Sequence, residues 1–280
     1  MKEAFKKIRR QKNLMVGGII ALLVVVMAVF APWLAPFHPI DHADLTHSEE
    51  PPNRTYLFGT DNQGRDILSR VIYGSRVSLS VGLVCQGLNS LIGILLGLTA
   101  GFIGKRWDDF VMALTNIFLS IPSLIFALAI MAVLGPGLIN IFLALGLTNW
   151  AYSCRITRSQ VLSARSLDYV MAARALGYGQ VRIMFTQILP NIVGPILVVA
   201  TLGVAGAILI EAALSFLGLG VQPPTPSWGG MLSQAREQLF TAPWISIFPG
   251  MAIFVTVLGL NLLGDGLRDI LDPHTTRQRR

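Results

Sequence analysis

Long charge-free runs separated by short polar segments dominate the chain. Leu14 to Phe30 is an unbroken apolar run, Val77 to Ile103 carries no charge, and Phe110 to Tyr152 is charge-free over a length too great for one crossing. A helix rises 1.5 Å per residue and must traverse about 30 Å of hydrocarbon, so a span takes roughly 20 apolar residues. Gly135-Pro136-Gly137 is a strong turn signal and divides the third run in two. Further runs extend from about Ile192 to Ile210 and from about Trp244 to Leu263. The pattern predicts an all-α integral membrane protein with six transmembrane helices.

Composition agrees with the pattern. Hydrophobic side chains make up 53% of the 280 residues and charged ones 13%, about half of what a soluble domain carries. The abundance of Leu, Ile, Val and Phe excludes a disordered chain, and 2 cysteines exclude a disulfide scaffold. Cys85 and Cys154 fall within or at the end of spans and read as small apolar packing residues.

Charge sets the orientation. With both termini in the cytoplasm, 17 of the 22 basic residues fall inside, against Arg54, Arg65, Arg70, Arg76 and Arg236 outside, where seven acids accompany them. The net charge of +7 therefore reflects membrane topology. No basic stripe interleaved with base-reading side chains is present, so nucleic acid is not an expected partner, whereas the lipid bilayer is. Lys6 to Arg10 followed by the first run resembles a signal peptide, but the run is longer than a signal core and Ala31 to Pro36 lacks a clean cleavage site. The run is expected to be a retained anchor.

The expected organisation is a cytoplasmic basic segment at 1–13, a first span at 14–34 and an external loop with an amphipathic helix at 35–76. A core at 77–272 holds five spans, and a cytoplasmic basic tail occupies 273–280. In the external loop, Ile67, Leu68, Val71 and Ile72 oppose Arg65, Asp66, Ser69 and Arg70. This stretch is expected to lie along the outer membrane face, with Gly64, Arg65 and Asp66 available for external docking.

Arg155 to Gln187 is the most polar cytoplasmic segment. Ser166 is placed to cap a helix carrying Asp168 in its first turn, and Gly177 stops that helix. A second helix then runs through Val181, Ile183, Met184 and Phe185 toward Pro190. The short helix shows small residues at Ala172 and Ala173 beside Tyr169 and Arg174. It suits a groove on a partner protein, and it suits equally a resting place on the chain's own membrane surface.

Ala172-Ala173-Arg174-Ala175-Leu176-Gly177, followed after nine residues by Gln187-Ile188-Leu189-Pro190, resembles the E-A-A-x3-G-x9-I-x-L-P signature of ABC-importer membrane subunits. Met171 stands where that signature has Glu, and Gln187 where it has Ile. Asp168 becomes the candidate polar anchor for the start of the helix.

Three further blocks look like the C-type permease of the dipeptide/oligopeptide/nickel group: Phe58 to Asp66 with Ser69-Arg70, Leu214 to Gly229, and Gly264 to Pro273. The resemblance covers nearly the whole chain from residue 14 onward. It implies a type I importer permease fold in the inner membrane of a prokaryote. The implied task is translocation of dipeptides or oligopeptides by alternating access, or else of a nickel chelate or glutathione-type solute.

The resemblance also makes residues 166–177 a coupling helix that docks on an ATPase, with Asp168, Tyr169, Ala172, Ala173, Arg174, Gly177 and Tyr178 at the contact. The implied partners are a paralogous permease, two ATP-binding subunits and an external substrate-binding protein. The chain has no GxxxxGK[ST] motif, so it is not expected to be an enzyme or to bind a cofactor, ATP and Mg belonging to the partners.

Gly93, Gly97 and Gly101 form a small-residue ridge that serves either internal packing or a subunit interface. Glu211, an acid at the edge of the fifth run, serves either gating or structural pairing. His38, His42 and His47 lie in an acidic loop without helical spacing, and no metal site is expected there. An intramembrane enzyme would need a nucleophile with a base, or a metal motif such as HExxH, at membrane depth, and a channel would need a charged ring or carbonyl filter. Neither pattern occurs.

Overall fold

A computed structural model describes residues 11–271. The basic segment at 1–10 and the tail at 272–280 lie outside the described residues. The first apolar run forms α1 (Lys12–Val29), after which Phe30 turns the chain into a single helical turn, α2 (Ala31–Leu34), with Pro32 in its first turn. An irregular segment continues as far as Asp66.

Asp66 caps α3 (Ile67–Ile103) by accepting from the Ser69 amide at 2.8 Å and the Ser69 hydroxyl at 2.6 Å. This 37-residue helix corrects the expected 35–76 loop with its interfacial helix. The amphipathic stretch is the first turns of the second span. Its polar side is buried by the preceding irregular segment, Arg65 and Asp66 each being 3% exposed and Arg70 1%.

Gly104 and Lys105, both at positive φ, turn the chain into α4 (Lys105–Ser120). Ile121 is extended, as residues before proline tend to be, and α5 (Ser123–Leu134) leaves at 86° to α4. The third span is thus bent at Pro122, a break the charge-free run concealed. Gly135 and Gly137 make the expected turn.

The fourth run does not form one span ending near Tyr152. α6 (Leu138–Gly146) stops, and α7 (Trp150–Ala164) restarts and continues well past Tyr152 through a polar sequence. Next come α8 (Asp168–Ala175), α9 (Gln180–Phe216), α10 (Trp228–Gln234) and α11 (Trp244–Leu271). Among the described residues, four helices, α1, α3, α9 and α11, are long and apolar enough to cross a bilayer, and the bent α4/α5 pair is a fifth candidate.

Close contacts give the helix directions. Leu14 meets Gly266 while Ile20 meets Gly259, so α1 and α11 are antiparallel. Gly194 meets Leu271 and Leu202 meets Gly264, which makes α9 antiparallel to α11. Ser78 faces Glu211 and Gln86 faces Gly203, so α3 opposes α9. Gly93, Gly97 and Gly101 meet Ser153, Thr157 and Val161 in the same order, so α3 and α7 run together. The start of α1, the end of α11 and the α7–α9 connection therefore share one end of the bundle, and the segment between α2 and α3 caps the other.

The glycine ridge of α3 is spent on α7. A Cβ at Gly93 would lie 2.5 Å from the Ser153 Cβ, one at Gly97 2.5 Å from the Cys154 carbonyl oxygen, and one at Gly101 2.9 Å from the Val161 Cβ. Glycine lets the two backbones touch, the packing that membrane helices use when no hydrophobic force separates them from lipid.

Candidate functional site

α8 sits on the end of the bundle shared by the chain's described ends. Its start differs from expectation: the cap position is Leu167, which offers no side-chain acceptor, and the Ser166 hydroxyl donates back to the Ser163 carbonyl at 3.3 Å. Asp168 occupies the first turn, where a carboxylate meets the positive end of the helix dipole.

The helix ends as its sequence demands. Gly177 has φ +80°, its amide donates to the Arg174 carbonyl at 2.9 Å, and the Tyr178 amide reaches back to the Ala173 carbonyl at 3.1 Å. Two carbonyls that would otherwise be orphaned are thus satisfied in the paired pattern of a glycine-terminated helix.

The faces of α8 are unequal. Val170 and Ala173 are buried against Phe102 of α3, Val161 and Ala164 of α7, and Ile183 and Met184 of α9, with Tyr169 and Tyr178 packed around them. Arg174 lays its guanidinium 5.2 Å from the Phe102 ring centroid, and Arg182 lies 4.0 Å from that of Tyr178. Adjacent residues on a helix point about 100° apart, so Ala172 and Ala173 do not form one ridge. Ala172 is exposed with Asp168, Met171 and Arg174, while Ala173 anchors the helix to its own chain. Large apolar side chains share that exposed surface with the two charges: Leu167 and Met171 are about half accessible and Leu176 is 74% exposed.

Beneath α8, Arg158 of α7 donates to Asp108 of α4 through two nitrogens, and the Arg165 Nη1 donates to the Gly101 carbonyl of α3 at 2.9 Å. On the other side α9 opens with a π-helical turn over Ile183–Ile188, in which the Leu189 amide reaches the Met184 carbonyl. Pro190 comes next and has no amide to give Thr186, which accounts for the irregular ladder here. α8 thus packs on α3, α7 and α9, and α7 is tied in turn to α4.

Glu211 is fully buried where α9 meets α3 at the opposite end. The Ser215 hydroxyl donates to one carboxylate oxygen at 2.7 Å and that of Ser78 to the other at 3.4 Å. Of the two expected roles, this geometry matches structural pairing. Arg65 and Asp66 are likewise engaged within the chain: Asp61 accepts from Arg65 Nε at 2.8 Å and contacts Arg70 Nε at 3.4 Å, and both arginines reach Gln234 of α10. Their side chains are not the exposed docking edge expected of them, and Gly64 supplies the positive-φ turn (φ 69°) that brings Arg65 to Asp61.

The three loop histidines do not converge. His42 stacks on Phe37, His38 meets Asp41, and His47 Nδ1 lies 2.7 Å from Glu50 Oε1, a bond that raises the His47 pKa above its ordinary value.

A family profile described as "Binding-protein-dependent transport system inner membrane component" matches residues 93–277. The chain belongs to that family. A second profile, "N-terminal TM domain of oligopeptide transport permease C", matches residues 1–52. Relatives of this inner membrane component include the di/tripeptide transport system permease protein DppC of Pseudomonas aeruginosa, 46% identical over 98% of this chain and 92% of its own length. The oligopeptide transport system permease protein OppC of Bacillus subtilis is 42% identical, over 97% and 89%. The glutathione transport system permease protein GsiD of Escherichia coli is 39% identical, over 97% and 89%. The chain is accordingly a multi-pass transport permease.

This permease also carries a polar groove that its apolar runs do not announce. Between α3, α7 and α9 lies a cavity of about 290 Å³ lined by Gln86, Asn89, Asn149, Tyr152, Ser153 and residues of α9 from Val199 to Ile210. The signal was present as uncharged amides inside apolar runs, but scattered Asn and Gln do not announce which helices will turn them toward one another.

Proposed function

We propose that the chain is one of two paralogous membrane subunits of an ATP-driven ABC importer that carries di- or oligopeptides delivered by an external binding protein. The chain makes six crossings of the inner membrane of a prokaryote, the α6/α7 pair supplying the fourth, with both termini and α8 in the cytoplasm. ATP and Mg are held by two partner ATPases, and hydrolysis is theirs. α8 is the coupling helix, with its glycine-terminated end, Ala172, Met171 and Leu176 offered to the ATPase. The peptide reading rests on relatives named for di/tripeptide and oligopeptide transport at 46% and 42% identity. The glutathione-type alternative draws on the relative at 39% and differs only in the tripeptide carried.

The observation that carries the coupling role is the short helix itself. Eight residues are too few to hold a helix in water, yet this one is anchored by Val170 and Ala173 and leaves an apolar surface uncovered at the basic end of the bundle. In the proposed cycle, closure of the ATPase pair moves α8 and rocks the spans it is tied to. A near-complete switch between two states needs a differential affinity of about 5.5 kcal/mol.

The test is to purify this chain through a tag with its candidate partners and assay ATP hydrolysis with loaded dipeptide, oligopeptide, glutathione and nickel binding proteins. Stimulation by one loaded protein supports the reading and selects the substrate. Failure of the folded chain to capture any ATPase refutes it.

A further inference from the structure

We infer that the groove between α3, α7 and α9 is this subunit's share of the solute path, and that it binds the main chain of a peptide through neutral groups, without regard to side-chain charge. The inference rests on the peptide-importer reading and adds the binding residues and the basis of their selectivity.

The groove presents unspent hydrogen-bonding capacity. Gln86 is only 6% exposed, and although its amide nitrogen donates to Ser90 Oγ at 3.0 Å, its carbonyl oxygen accepts no bond among the described residues. Asn149 sits at the cap of α7 with no side-chain bond, and the hydroxyls of Tyr152 and Ser153 are likewise unengaged among the described residues. Asn89, by contrast, is occupied: it donates to the Leu145 carbonyl at 3.1 Å and accepts from the Asn149 amide at 3.2 Å, which fixes the break between α6 and α7 and aims Asn149.

The lining includes no ionisable acid or base apart from the Tyr152 phenol. A second cavity, of about 410 Å³, shares Tyr152, Val199 and Leu202 and leads toward the α8 end, where Arg268 is its single charged group. Together the two cavities form a lane along α7 and α9 that is neutral through the groove and meets a charge only at its α8 end. Peptide amides and carbonyls need both donors and acceptors, which amide and hydroxyl side chains supply, and neutral groups neither attract nor repel an acidic or basic residue of the cargo. Gly206 lies on the floor: a Cβ there meets nothing within 4 Å, so a larger side chain would enter the lane without striking this chain.

The experiment uses the full importer in proteoliposomes with its loaded binding protein, measuring uptake of a neutral, an acidic and a basic dipeptide. Asn149→Asp is nearly isosteric, removes no side-chain cap bond and places a carboxylate in the lane. The expected result is at least a fivefold fall in the acidic-to-neutral uptake ratio, with the basic dipeptide spared. Tyr152→Phe, at an exposed and unbonded position, is expected to raise KM for all three dipeptides alike. Gly206→Leu is expected to assemble normally, measured by co-purification, and to slow a tripeptide more than a dipeptide.

Unchanged ratios in Asn149→Asp, with wild-type uptake intact, overturn the lane assignment alone. Loss of assembly in Gly206→Leu also overturns it, by making this face a subunit contact. A wild-type complex that carries none of the peptides overturns both the lane and the peptide-importer reading.

Discussion

Gly177 isolates backbone geometry from packing. Its φ is +80°, and a Cβ built there has no neighbour within 4 Å, so a larger residue meets no steric obstacle beyond its own backbone. The left-handed conformation costs a β-carbon residue about 1–2 kcal/mol, and less for Asn, whose side chain bonds locally. The alternative is to unwind the cap and lose the bonds from Gly177 to Arg174 and from Tyr178 to Ala173, at about 0.5–1.5 kcal/mol each. The two costs are comparable, so Gly177→Val is expected to populate an unwound end of α8 that Gly177→Asn largely avoids. A change of 1.4 kcal/mol is a tenfold shift in a local equilibrium. At matched membrane abundance, transport coupled to ATP hydrolysis should fall in the order Gly177, Asn, Ala, Val, with faster exchange of the Tyr178 amide in the Val variant. Equal transport and equal exchange across the series would refute the argument that the αL position holds the docking surface.

Other consequences can be checked alongside. Gly97→Val drives a side chain into the Cys154 carbonyl and Thr157, and should cost about 1–3 kcal/mol, read as a lower melting temperature of the purified protein. Asp61→Ala strands Arg65 and Arg70 beneath the segment that caps α3, where loss of one partner of a buried pair costs about 3–5 kcal/mol; Arg54→Ala on the exposed loop should cost nothing measurable by the same melt. Because Glu50 raises the His47 pKa, the stability from this pair is fully present below the unfolded value near 6.5 and is lost as pH rises through the folded value. An NMR titration should place the His47 midpoint above 6.5 in the wild type and lower in Glu50→Gln.

The apolar runs made α1, α3, α9 and α11 legible because span length is set by bilayer thickness, a constraint that acts on each segment alone. The start of α3 is not legible in the same way, because an amphipathic turn resting on lipid headgroups and one roofed by a distant loop have the same periodicity. What separates them is the approach of Pro39, Asp61 and Gln234 to the arginines, and these contacts are remote in sequence. Pro122 broke the third span inside a run whose apolar continuity masked it. Gly177 was readable as a stop because only local backbone chemistry is involved. The choice of Ala173 over Ala172 as the inward residue depends on where Phe102 and Ile183 stand.

The π-helical turn at Ile183–Ile188 fits one residue more into the opening of α9 than a regular helix would hold. Each residue of an α-helix advances the azimuth by about 100°, so this surplus residue sets the angle between the face that anchors α8 and the face that lines the bilayer portion of the same helix. Chain length through this stretch therefore sets a rotational register within α9. Removing a single residue there would turn the face of α9 that anchors α8 by roughly a quarter of a revolution against the rest of the helix.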